Sequence, residues 1–288
     1  MSKFKRNKLR LALIFLSILS ANFALAEQSS LKVSGDLSGI STTNVSKPAL
    51  PVLNSPGGLF VGAYIENAKA NPEDPTAGVM YLNLPDGQAP FSGLMNFTFV
   101  GCQTTSYGVV MGDKKLNELR GTWNGKLDHT TQSGVYEGAY NATEQYYAGT
   151  YTVKNGKQHV VVPNCIQYFV SPNGTWLLLA PNQTFSSAKK YRALDLVGAI
   201  ATWQVPSNSL YGTVSIIDKA IATTKFDNGQ VSGNNQNAMV FTQVLSISQT
   251  TFKLSNLHLK SGKTYVISVV YANSREVTYA SNKEFVAP

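Results

Sequence analysis

The chain of 288 residues is poor in the groups that most enzyme chemistry needs. It has two cysteines, Cys102 and Cys165, and three histidines, His129, His159 and His258. The histidines lie far apart, and no His-x-His, His-x-x-x-His or paired Cys spacing occurs, so no metal site is expected. No Gly-x-Ser-x-Gly elbow, phosphate loop or Gly-x-Gly-x-x-Gly turn is present, and no cofactor is expected either. Charged residues make up 14% of the chain, and beyond residue 26 no basic run exceeds Lys189-Lys190. That argues against nucleic acid as a partner. No apolar run is long enough to span a membrane as a helix.

The apolar run Leu11–Leu19 follows Lys3, Lys5, Arg6, Lys8 and Arg10 and precedes Ala24-Leu25-Ala26, a small-x-small site before Glu27. This is the pattern of an export signal over residues 1–26. No cysteine stands just after the cleavage point, so no lipid anchor is indicated and no membrane anchor is expected on the mature form. The signal holds five bases and no acids. Without it 19 bases face 16 acids, and the net charge of +8 falls to +3. The expectation is a bacterial exoprotein, secreted to the exterior or to the periplasm of a Gram-negative cell. In an oxidising compartment Cys102 and Cys165 most simply form one disulfide. Closing that loop is worth roughly 4 kcal/mol on the chain-entropy model.

Residues 27–57 are rich in Ser, Thr, Asn and Pro and read as an extended or disordered leader. From residue 58 strand signals follow one another: Leu59–Ile65, Val79–Leu84 and Met95–Cys102, with turn chemistry at Asn71–Pro75 and Pro85-Asp86-Gly87. Then comes a quasi-repeat of Gly-x-aromatic units, Gly121-Thr122-Trp123, Gly134-Val135-Tyr136 and Gly149-Thr150-Tyr151, at spacings of 13 and 15. Those spacings suit strands joined by hairpins, with each glycine leaving room that a neighbouring ring covers. A short likeness to the first strands of avidins covers some thirty residues. The later tryptophans of the biotin pocket have no counterparts, so it is not adopted. Strands over His159–Val162, Cys165–Val170 and Trp176–Leu179 complete an antiparallel β-rich domain, 58–183. A polar stretch, Pro181–Ser187, marks the boundary.

The last third is organised around Thr250–Tyr271. Phe252, Leu254 and Leu257 lead to a Ser261-Gly262 turn, and Tyr265, Ile267, Val269 and Tyr271 share one face of the strand that follows. With Ala201, Trp203 and Val205 before Pro206, this segment resembles a fibronectin type III domain over residues 188–288. The resemblance implies a seven-strand sandwich in which the Tyr265 hydroxyl bonds back to nearby backbone and pins a corner. Strands are expected at Tyr211–Ile217 and Val277–Val286, and a strand or short helix within Lys189–Val197. The fold expected for the whole is all-β.

Chemistry has few candidates. Asp128, Glu137 and Glu144 are the available carboxylates for glycoside hydrolysis, but alternation puts Glu137 opposite Tyr136 and Tyr140, on a solvated face. Trp123, Tyr136, Tyr140, Tyr146, Tyr147 and Tyr151 fall within thirty residues. Exposed rings on a rigid sheet stack against sugars or partner surfaces. Packing accounts for at least half of them, and of the adjacent pair Tyr146-Tyr147 one must face away from the core. The expected function is a secreted, non-enzymatic binding protein for an extracellular glycan or surface protein, with these six residues as the candidate site. The alternatives are a secreted polysaccharide hydrolase with an accessory fibronectin-like module, and a structural component of a surface assembly.

Overall fold

The computed structural model describes residues 55–66, 76–99, 102–127, 130–154, 158–160, 168–170, 173–187, 191–224, 237–273 and 275–288. The fold is all-β. Eight strands close a barrel: β1 (Gly58–Glu66), β2 (Thr76–Leu84), β3 (Ala89–Phe99), β4 (Cys102–Lys115), β5 (Glu118–Leu127), β6 (Thr130–Asn141), β7 (Tyr146–Val153) and β10 (Asn173–Leu179). Neighbours are antiparallel throughout, and β10 shuts the ring against β1. Between β7 and β10 in the chain lie two short strands paired antiparallel, β8 (Gln158–Val160) and β9 (Tyr168–Val170). The single strand expected over Met95–Cys102 is in fact two. Phe99 at the end of β3 pairs with Cys102 at the start of β4. β4 is weakly marked in the sequence because the positions alternating with its exposed residues are Gly108, Val110, Gly112 and Lys114 rather than an apolar series.

Strand alternation fills the barrel. Phe60, Tyr64, Met80, Leu82, Met95, Val110, Trp123, Tyr136, Tyr151 and Trp176 form one buried cluster. The void left among them is about 10 Å³, far below the several hundred Å³ of a ligand pocket. An eight-strand ring is just narrow enough for side chains to fill it.

The remaining strands form two sheets. Strands β11 (Thr184–Ser186), β14 (Tyr211–Asp218), β15 (Met239–Leu245), β17 (Thr264–Ala272) and β18 (Val277–Val286) make one, in the order β11-β18-β17-β14-β15. Strands β12 (Asp195–Val197), β13 (Ile200–Thr202) and β16 (Thr251–Lys253) make the other, in the order β12-β13-β16. A four-residue helix α1 (Lys219–Ala222) follows β14, N-capped by Asp218, whose carboxylate accepts from the Ile221 N–H. The two sheets share a core of Ala201, Trp203, Val214, Ile216, Tyr265, Ile267, Val269, Tyr271 and Tyr279. The polar stretch expected as a boundary contains β11, which pairs with β18. Within Lys189–Val197 the regular element is β12, not a helix.

Residues Leu50–Pro288 form one compact unit. The outer face of the five-stranded sheet meets the barrel wall in two apolar contacts. Val61, Val79, Tyr81 and Leu94 pack with Ile217, Met239 and Val266. Ala63, Ile65, Leu177 and Leu179 pack with Tyr211, Val270, Ala272 and Ala280. Both β1 and β17 are therefore buried on both faces, which is why each reads as a nearly continuous apolar run. Between the contacts the Asn282 amide donates to Val61 O and Leu179 O, each at 2.9 Å.

Candidate functional site

Closing the sheet into a barrel decides the fate of the six candidate rings. Trp123, Tyr136, Tyr147 and Tyr151 point inward and are buried. Tyr140 is half-buried, its ring 4.8 Å from that of Tyr147. Tyr146 does face away from the barrel core, but the second sheet covers it: its ring meets Phe185 edge-on at 5.3 Å, at the margin of the barrel–sheet contact. The six residues thus present no open aromatic face. Their burial has a plain cause, since a closed ring has an inside and a docked neighbour covers part of the outside.

Three of the interior rings, Trp123, Trp176 and Tyr147, are held by polar contacts at their tips. Trp123 Nε1 donates to Thr152 O at 3.2 Å and Trp176 Nε1 to Thr150 O at 3.1 Å. Tyr147 Oη donates to Pro56 O at 3.0 Å. Burial pushes the Tyr147 phenol up to about 12, with Ser55 opposing and Tyr140 adding to the shift. Tyr136 is also pushed up, by burial first and the Asp113 charge second.

One end of the barrel is sealed by Ser55–Gly57, the last residues of the expected leader. Lys114 points inward there and is 1% exposed. Its ammonium donates to Ser55 O at 2.6 Å and Pro85 O at 2.8 Å, and Ser55 Oγ donates to Leu116 O at 2.6 Å. Burial pulls the Lys114 amine down, and the nearby Asp86 charge opposes this. The amine is a pin within the wall, with no open space around it to receive a substrate.

Glu137 stands exposed on the outer wall and Glu144 in an exposed turn, while Asp128 lies outside the described residues. Among the described residues no three His, Cys, Asp or Glu lie close enough to hold a metal. His258 is exposed, and His129 lies outside the described residues, as does Cys165, the expected partner of Cys102.

What remains open is the outer wall. In-register neighbours Asn83, Ser92, Met111, Thr122, Val135, Thr152 and Asn173 form a band with one residue from each of seven strands. None is charged, and the five from Met111 to Asn173 are exposed, Val135 to 54%. The adjoining row, Asp113–Arg120–Glu137–Thr150–Thr175, carries the charges. Where the band reaches Asn83, Ser92 and Met111, the surface is indented by a cavity of about 900 Å³ walled also by Pro85, Asp86, Pro90, Phe91 and Thr223. Asn83 Nδ2 donates across it to Thr223 O at 3.2 Å. Towards the other end, a depression of about 320 Å³ lies over Arg120, Val135, Glu137 and Thr152. This band is the candidate site. Sequence reasoning missed it because its members become neighbours only once seven strands are in register. The available signal was Val135, an apolar residue alternating outward between Gly134 and Tyr136. Neither protein-family models nor curated proteins match this chain.

Proposed function

We propose that this is an exported, non-enzymatic binding protein that holds an extended, uncharged extracellular glycan along the outer wall of its barrel. The observation that carries this reading is the uncharged band from Asn83 to Asn173, exposed from Met111 onward and ending in a cavity of about 900 Å³. A filled barrel cannot take a ligand inside, so recognition falls to the wall. Thr122, Thr152 and Asn173 supply hydrogen bonds to hydroxyls there, while Met111 and Val135 supply apolar contact. A surface protein is the other outcome the same wall allows. Nothing favours the hydrolase, because among the described residues no second carboxylate lines the depression around Glu137, whose cross-strand neighbour is Arg120.

The two C-terminal sheets we read as a fibronectin type III-like sandwich serving as spacer or second contact. The strand orders β12-β13-β16 and β11-β18-β17-β14-β15 support that reading, as does the buried Trp203. So does the Tyr265 hydroxyl, which accepts the Lys260 N–H at 3.1 Å. Export goes with a Cys102–Cys165 disulfide, which thiol titration of the denatured protein checks.

The experiment is a broad array of glycans and surface proteins probed with the chain from Glu27, with eluted ligand examined for cleavage. Retention of an intact neutral glycan supports the reading. Cleaved ligand, or retention of proteins alone, replaces it with the hydrolase or the surface-protein reading.

A further inference from the structure

A polar line one residue wide runs between the two apolar contacts of barrel and sheet. Thr242 on β15, Ser215 on β14, Ser268 on β17 and Asn282 on β18 are cross-strand partners in register. Ile217 and Val266 flank the line on one side, and Val270 and Ala280 on the other, all facing the barrel. Ser215, Ser268 and Asn282 are 0%, 1% and 2% exposed. Among the described residues, five buried side-chain oxygens or nitrogens have no hydrogen-bond partner in the protein. Four of the five, Thr242 Oγ1, Ser215 Oγ, Ser268 Oγ and Asn282 Oδ1, fall on this line. The fifth, Tyr136 Oη, is elsewhere, inside the barrel.

Isolated orphan hydroxyls occur in native proteins, but four in consecutive register do not arise by scatter. Each would forfeit its hydrogen bonds to bulk water without return, a loss that a marginally stable fold does not sustain four times in one interface. Cross-strand partners hold their Cβ atoms about 5 Å apart. At that spacing short side chains need not touch one another, yet a single water can bridge each pair. Asn282 strengthens the case. Its amide nitrogen is committed to Val61 O and Leu179 O, so Oδ1 is fixed as an acceptor at one end of the line. At the other end β15 is the margin of its sheet, and Thr242 is only half-buried.

We propose that this line binds a file of ordered water molecules, entered from the β15 margin, and that barrel and sheet meet through water along it. The file makes the contact directional. A row of bridged hydroxyls ending at the Asn282 amide selects one placement of barrel on sheet.

Two measurements on the exported chain test this: water-to-amide Overhauser transfer at Ser215 and Ser268, and urea midpoints of Ser215→Ala and Ser268→Ala. Expected are long-lived water signals at both residues that weaken in the variants, and a folding equilibrium constant reduced about five-fold by each alanine. A dry line predicts the reverse, since alanine then removes an unpaired hydroxyl and raises the constant. A rise or no change in stability, or no long-lived water at either residue, overturns the proposal.

Discussion

Trp123 reaches over Gly134, its cross-strand partner, to donate its indole N–H to Thr152 O on the next strand. The glycine makes this possible, because the indole occupies the space a Cβ would need. Trp176 repeats the device over Gly149, bonding Thr150 O. The Gly-x-aromatic repeat is therefore a packing rule of the barrel, in which missing side chains on one strand seat large ones on the next. Gly134→Ala and Gly149→Ala should each destabilise by about 1–3 kcal/mol, the usual cost of overpacking a full core. Urea denaturation followed by tryptophan fluorescence measures this, and an unchanged midpoint in both would show that the rings have room to spare.

The buried phenols set an upper pH limit on the fold. Burial pushes Tyr147, Tyr271 and Tyr279 up to about 12, against about 10 in an unfolded chain. Hydrogen bonds involving Ser55, Trp203 and Ser281 act in the opposite sense and are smaller. A raised value means the folded state holds its proton more tightly. The stability contributed is thus complete below pH 10 and is lost as pH climbs through about 12, on the order of 2 kcal/mol for each residue. Stability should hold level to pH 10 and then fall, with tyrosinate absorbance at 295 nm rising cooperatively as the protein unfolds. Smooth titration of all 14 tyrosines near pH 10 in a folded protein would contradict this.

Local signals in the sequence carried well where both partners of an interaction lie close in the chain. The Tyr265 bond to the Lys260 N–H spans five residues, and a bond from Tyr265 to nearby backbone was what the fibronectin type III resemblance of the Leu-rich run, the Gly262 turn and the strand after it implied. Placing Glu137 outward needed only alternation. Barrel closure was not legible, because it depends on β10 returning to β1, and nothing within either strand names its partner. Without closure an inward face and an exposed face look alike, so Trp123, Tyr136, Tyr147 and Tyr151 read as a possible surface. β4 was missed because Gly108, Gly112 and the pinned Lys114 break the apolar alternation.

Lys114 ties the start of β1 to the rest of the barrel. Its two acceptors, Ser55 O and Pro85 O, come from segments separate in sequence. Lys114→Met keeps much of the side-chain volume and leaves both carbonyls without that donor. The expected loss is about 1–3 kcal/mol, accompanied by faster amide exchange at Gly57 and Gly58. Lys114→Arg should fail to restore the wild type, since a planar fork cannot take the place of a compact ammonium between two carbonyls 2.6 and 2.8 Å away. Unaltered exchange in the methionine variant would mean that Tyr147 and Ser55 hold the segment without it.

Val135 separates a binding wall from a merely exposed one. It sits at 54% exposure in the middle of the uncharged band, with Thr122 and Thr152 beside it. A substitution there should leave stability within about 0.5 kcal/mol, because the side chain supports no core. Val135→Arg puts a long charged group across the band, where a neutral ligand would have to lie against it or displace it. Affinity for any ligand held on this wall should drop at least ten-fold, while Lys260→Glu, in the turn region before β17 and outside the band, should change little. Equal binding by wild type and Val135→Arg, with both proteins folded, would move recognition off the barrel wall and onto the C-terminal sheets.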